Sequence, residues 1–350
     1  MTTAFRLRSA FSFGAVALAT LVVGCAEPAA PPAPPVAKAP PVTLSPRVIE
    51  AAAGYRTYMT RAAAISPAFA DGPSIAQSLS AGASYEPKQL VSGAIAYGAI
   101  VALQDPAFVA GVRAFAADPA QRQSVAYSIL RDPAYAVGFE GSAGAAGAII
   151  AALGDQGRLV YDQGKLVKQA AYDIQRSNWS KADVIDRPGR LQQAKTLSAA
   201  PLLGDSAEAA RLQQAALGVG QTPAATPPAP VSPPYTPLVI RSLAVAALAA
   251  LGQAGDASLE QVNGLMSEPN AGACLNLSKL NLYQCLAVSK PHYEDVFCLG
   301  EHVMMDTGRC LMKSSGAAMP LEIKPKVLDV TYRDKPKAKA KPKAAAKKKS

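Results

Sequence analysis

Aromatic residues make up only 6% of this 350-residue chain, and Trp179 is its single tryptophan. Platforms on which sugars could stack are therefore scarce. Histidine is nearly missing too, since His292 and His302 are the only two. Neither apolar run reaches the roughly 20 residues that cross a bilayer comfortably: Phe11–Val23 and Leu238–Leu251 are both shorter. No G-x-S-x-G occurs, so the nucleophile elbow of a Ser-His-Asp hydrolase is excluded. The glycines at 138, 141, 144 and 147 lack both the lysine and the strand-turn-helix context of a phosphate-cradling loop. A basic binding face on the body is missing as well. Residues 335–350 hold eight lysines and no acid, so the formal charge of +10 falls to about +2 without them.

Apolar residues fill half of the chain and charged ones only 17%, which argues for a globular centre. Much of that apolar half is alanine, which suits closely packed helices. An all-α fold is expected: a bundle of short helices, a C-terminal disulfide-stapled hairpin, Pro-rich linkers and a disordered basic tail. Three Asp-Pro-Ala steps, at 105–107, 118–120 and 132–134, read as helix starts. The aspartate caps free N–H groups and proline takes the first helical position. Residues 87–104 are apolar nearly all round and should form a central buried helix. Gly93 and Gly98 within it are costly unless a neighbour packs on them closely. The tandem repeat DQGRLVY–DQGKLVK, residues 155–168, puts Val160, Val167 and Ile174 on one seam, expected to pack within its own stretch and to run on past Trp179. These signals divide the chain into a helical region over 47–217, a Pro-rich linker over 218–237, C-terminal helices over 238–315 and a Lys-rich tail over 316–350. Whether the two helical regions share a core stays open at this stage.

At the N-terminus, Arg6 and Arg8 precede the apolar run 11–23, the layout of an export signal. The residues Val22-Val23-Gly24-Cys25 resemble the lipobox of bacterial lipoproteins. That resemblance implies a signal peptide over 1–24, diacylation of the Cys25 thiol and anchoring to a membrane. The competing reading is plain secretion, with cleavage before Glu27. Ala26 stands where an aspartate would signal inner-membrane retention in that family, which favours the periplasmic face of the outer membrane. Residues 25–46 are rich in proline and alanine and read as a tether, reaching roughly 60 Å over twenty residues at polyproline rise.

With Cys25 lipidated, Cys274, Cys285, Cys298 and Cys310 remain, an even set in an oxidising compartment. Residues 275–288 and 292–305 read as two helices joined at Ser289-Lys290-Pro291. Cys274 and Cys285 on one helix would lie about 16 Å apart, against a disulfide limit near 7 Å. About a turn at 290–291, Cys285 faces Cys298 and Cys274 faces Cys310, so those pairs are expected. The layout resembles the helical hairpins of twin-cysteine proteins, with a different spacing, which implies a stapled fold and no activity. The segments AAYDIQRSNWSK and YQCLAVSKPHYEDVFCLGEHVMMDTGRCL also resemble uncharacterised exported proteins of alphaproteobacteria.

Candidate sites are few. His292 and His302 lie near Glu294, Asp295, Glu301 and Asp306, but the spacing matches no standard zinc motif. No metal or cofactor is expected, and those side chains read as solvated helix faces. Glu140, in FEGSAGAAG, is similar to the Glu-Ser segment of lysozyme-like lytic transglycosylases, but the Gly-Leu-Met-Gln motif of that family is missing. The tail lysines Lys335, Lys337, Lys339, Lys341, Lys343, Lys347, Lys348 and Lys349 resemble the arms of nucleic-acid-binding proteins. In an exported chain, nucleic acid gives way to anionic envelope polymers as the expected partner. The leading expectation is a non-catalytic envelope lipoprotein with a structural or adaptor role and an unidentified protein partner. The alternatives are a periplasmic binder of a small apolar ligand and, third, a peptidoglycan-cleaving enzyme.

Overall fold

A computed structural model describes residues 39–219 and 229–321. All regular structure among them is helical. The first half carries α1 (Pro46–Ala63), α2 (Gly72–Ala83), α3 (Pro87–Ala102), α4 (Pro106–Arg113), α5 (Pro119–Arg131) and α6 (Ser142–Ile174). Then come α7 (Arg187–Ser198), α8 (Ser206–Ala216), α9 (Pro237–Ala250) and α10 (Leu259–Leu265). The last are α11 (Pro269–Val288), α12 (His292–Cys298) and α13 (Asp306–Ser315), with a π turn over Leu299–Met305 between α12 and α13.

The helix starts follow the capping chemistry expected of them. Asp105 accepts from Phe108 N at 2.9 Å, Asp118 from Ala120 N at 2.7 Å and Asp132 from Ala134 N at 3.0 Å. The third step opens a 3-10 turn, Pro133–Gly138, in place of an α-helix. Glu86 with Pro87, Thr236 with Pro237 and Glu268 with Pro269 repeat the device at α3, α9 and α11. Each such cap contributes about 1 kcal/mol.

Helices without a polar face belong at the centre, and α3 and α9 lie there side by side. Both regions flanking the Pro-rich segment contribute to one continuous core. A Cβ at Gly93 would stand 2.5 Å from Ala51 O, so α1 crosses α3 almost backbone to backbone. Ser242 of α9 takes the equivalent place over Gly98.

The longest element is α6, whose 33 residues rise about 50 Å. It joins the glycine-rich run and the tandem repeat in one helix. Val160 and Val167 are fully buried, as the heptad spacing requires. Their seam meets the π turn and α13, rather than staying within its own stretch. Gly157 and Gly164 explain the difference, because a helix face with no side chain accepts a close partner from far along the chain. A Cβ on Gly308 would sit 2.5 Å from Gly157 O. The seam stops at Ile174, whose carbonyl accepts from the Ser180 hydroxyl, and Trp179 lies in the turn beyond.

The edges of the Pro-rich segments are held to the body. Thr43 N donates to Ala249 O at 3.0 Å and Ser45 N to Ala254 O at 2.8 Å. Val231 N donates to Ala143 O at 3.0 Å, while Ala229 O covers Gly147.

Candidate functional site

The four C-terminal cysteines form two disulfides, Cys274–Cys310 and Cys285–Cys298, each with a Cα–Cα distance of 5.7 Å. They staple α11 to the long arm formed by α12, the π turn and α13. The corner of the hairpin is held by α7. Arg187 Nε donates to Ser289 O at 2.7 Å and its Nη2 to Ala287 O at 2.9 Å. Arg190 donates to Leu286 O and pairs with Asp295, both partners buried. Asp295 also accepts from the Ser289 hydroxyl at 2.8 Å. Burial raises the Asp295 carboxyl above its ordinary range, and Arg190 offsets only part of that.

The other acidic side chains of the hairpin are engaged too, with its own backbone, with one another's partners and with α6. Glu294 caps Lys290 N at 2.8 Å. Glu301 takes Lys168 at 2.6 Å and Arg309 at 3.2 Å. Asp306 meets His302 Nδ1 at 3.0 Å and Arg309 at 2.9 Å. Burial pushes the Asp306 carboxyl up, but the hydrogen bonds from His302 and Asn281 outweigh it, and the carboxyl ends below its ordinary value. His292 packs over Gly72, at the start of α2. Among the described residues, no three His, Cys, Asp or Glu side chains gather as a metal site would require.

Two features escape sequence reading. The first is Lys279, buried on the inner face of α11 with Leu275, Ser278, Leu282 and Leu286. Its ammonium donates to Ala83 O at 2.6 Å and lies 3.4 Å from the Tyr85 ring centroid. Burial holds its pKa well below the usual lysine value. Conversely, Leu277 and Leu280 face outward, 58% and 54% exposed. The only sequence signal is positional, because the 275-278-279-282-286 stripe has helical spacing and includes the lysine.

The second is a pair of open grooves. The larger, about 1280 Å³, runs between α1, α3, the 202–206 loop, α10 and the start of α11. Arg47, Glu50 and Lys88 bring charge to it, Asn263 and Asn276 bring amides, and Met266 and Leu202 give apolar ground. Arg47 and Glu50 also border a further hollow of about 800 Å³ that reaches Asp256 and Leu259. The smaller groove, about 780 Å³, lies beside α4 and is lined by Phe115, Tyr135, Phe139 and Glu140. Glu140 is exposed there, and no second carboxylate is among the lining residues.

Cys25 and the eight tail lysines lie outside the described residues, as does the middle of the 218–237 linker. Comparison with protein-family models, curated proteins and solved structures returns no match to the chain.

Proposed function

We propose that this protein is a non-catalytic lipoprotein of the cell envelope. A lipid on Cys25 holds a helical adaptor body at a membrane, on the periplasmic side. The tail lysines 335–349 meet an anionic envelope polymer, with peptidoglycan carboxylates or lipid phosphates as the counter-charge. The observation that carries the adaptor role is the outward apolar edge of α11, where Leu277 and Leu280 are exposed beside the large groove that Asn276 lines. Two exposed leucines next to a groove with charged and amide groups suit a protein partner with an apolar centre and a polar rim. The grooves open to solvent, which favours surface recognition over enclosure of a small apolar ligand.

Metabolic labelling with a radioactive fatty acid tests the anchor. Label on the wild-type chain and none on Cys25→Ser is the expected result, and an unlabelled wild type overturns it. A photo-crosslinking residue at position 277 is expected to give one discrete adduct in the envelope, lost with Leu280→Glu. Adducts indifferent to that change refute the adaptor surface. For the tail, a chain lacking 335–350 should remain in the supernatant when isolated cell walls are sedimented at low salt; co-sedimentation equal to wild type removes the polymer contact.

A further inference from the structure

The groove beside α4 has an unusual floor. Ala107, Ala110, Gly111 and Ala114 put only small residues along one face of the helix, and Phe115, Tyr135 and Phe139 stand around it. The Phe115 and Tyr135 ring centroids lie 5.9 Å and 5.7 Å from that of Phe139. Gly138 leaves open space where a side chain would begin. Glu140 is the one charged residue lining the groove. Aromatic faces over a smooth floor accept proline rings and the aliphatic stems of lysine, and a carboxylate at the rim accepts an ammonium. Sugars require more hydrogen-bonding groups than Glu140 and the Tyr135 hydroxyl provide.

The chain carries a segment of that chemistry. Residues 335–343, KPKAKAKPK, interleave lysine with proline and alanine and contain no acid. The path of the described chain puts the groove within their reach. Arg158 donates to Ala318 O at 3.0 Å, and Ala317 lies against Gly154, so the C-terminal stretch runs beside α6. The last of these contacts is at Arg158, and from there back to the groove end of α6 at Gly141 is about 26 Å along the axis. The fourteen residues from Leu321 to Lys335 span up to about 46 Å.

We infer that residues 335–343 dock in the aromatic groove of their own chain, with the prolines against the exposed rings of Phe115 and Tyr135 and a lysine on Glu140. This goes beyond the envelope reading and does not depend on it. Any anionic polymer and the groove then compete for the same lysines.

The test is fluorescence anisotropy with a labelled synthetic peptide of residues 335–350. It is titrated into the full chain and into a chain lacking those residues, with circular dichroism checking that each is folded. The peptide should bind the shortened chain and bind the full chain at least about tenfold more weakly, because a tethered tail competes at high effective concentration. In the shortened chain, Tyr135→Ala should weaken binding about tenfold and Glu140→Gln about threefold. Equal affinity for full and shortened chains overturns docking within one chain. Loss of the full chain's disadvantage on dilution assigns the groove to a second copy's tail and overturns it likewise. No binding to the shortened chain, or binding untouched by both substitutions, removes the groove as the site.

Discussion

The Lys279 ammonium lies 3.4 Å from the centroid of the Tyr85 ring, inside the protein, and donates to Ala83 O at 2.6 Å. Tyr85 in turn shares a 2.9 Å hydrogen bond with Thr307 of α13, whose neighbour Ser278 donates to His302 O at 2.5 Å. One buried polar chain thus ties the end of α2 to the disulfide hairpin.

A buried ammonium of this kind makes stability depend on pH. The folded state holds the Lys279 pKa below its ordinary value near 10.5, by burial, with Glu86 opposing. Between the two values the unfolded chain binds more protons, so stability rises with pH across that window. Tyr85, pushed up to about 12, stays protonated there, and unfolded tyrosines, with a pKa near 10, are still mostly protonated at pH 9.5, so the buried tyrosines oppose the rise only weakly. Urea unfolding at pH 7.5 and 9.5 should show greater stability at the higher pH. Lys279→Met should flatten that rise and leave stability at pH 7.5 equal or higher, since an apolar side chain of similar length avoids desolvating a charge. A rise of the same size in the variant refutes the assignment.

The Arg190–Asp295 pair is the second sensitive point. Replacing Arg190 with alanine leaves the Asp295 carboxylate buried without its partner and should cost about 3–5 kcal/mol. The Asp295 pKa is already raised, so protonation relieves the loss in acid. The R190A penalty, measured by denaturant titration, should shrink as pH falls from 7 toward 4.5. A penalty independent of pH would place the loss in the Leu286 and Ser289 carbonyl contacts instead.

The two disulfides should differ in weight. Cys274–Cys310 closes a sequence separation of 36 and Cys285–Cys298 one of 13. Loop-closure entropy assigns them about 4 and about 3 kcal/mol when each is removed singly. Thermal unfolding of the double serine variants should therefore rank C274S/C310S below C285S/C298S. The reverse order would mean that the corner at Ser289, held by Arg187 and Arg190, depends on the inner bond.

What sequence made legible was local or geometrically forced. The Asp-Pro-Ala caps act over three residues, so Asp105, Asp118 and Asp132 could be read without the fold. The cysteine pairing followed from the helical rise on either side of one corner. By contrast, Lys279 finds its acceptor 196 residues away, at Ala83. Polarity alone would put that lysine outside and Leu277 inside. The grooves were hidden for the same reason, because helices distant in the chain frame them. Phe115 and Tyr135 come together only when α4 and the 133–138 turn are docked, so sparse aromatics overall did not mean sparse aromatics locally.

Arg113 holds Pro40 O at 2.9 Å and Ala250 O at 3.1 Å, while Ser45 Oγ reaches Asp256 at 2.6 Å. With the two main-chain bonds from Thr43 and Ser45, these contacts rivet the first described residues to the far end of α9. A mechanical load arriving at residue 39 therefore bears first on Arg113 of α4 and the buried end of α9, before α1 feels it. Four hydrogen bonds, at the Pro40 carbonyl, the Thr43 N–H and both the N–H and hydroxyl of Ser45, must break before α1 is pulled free from that side.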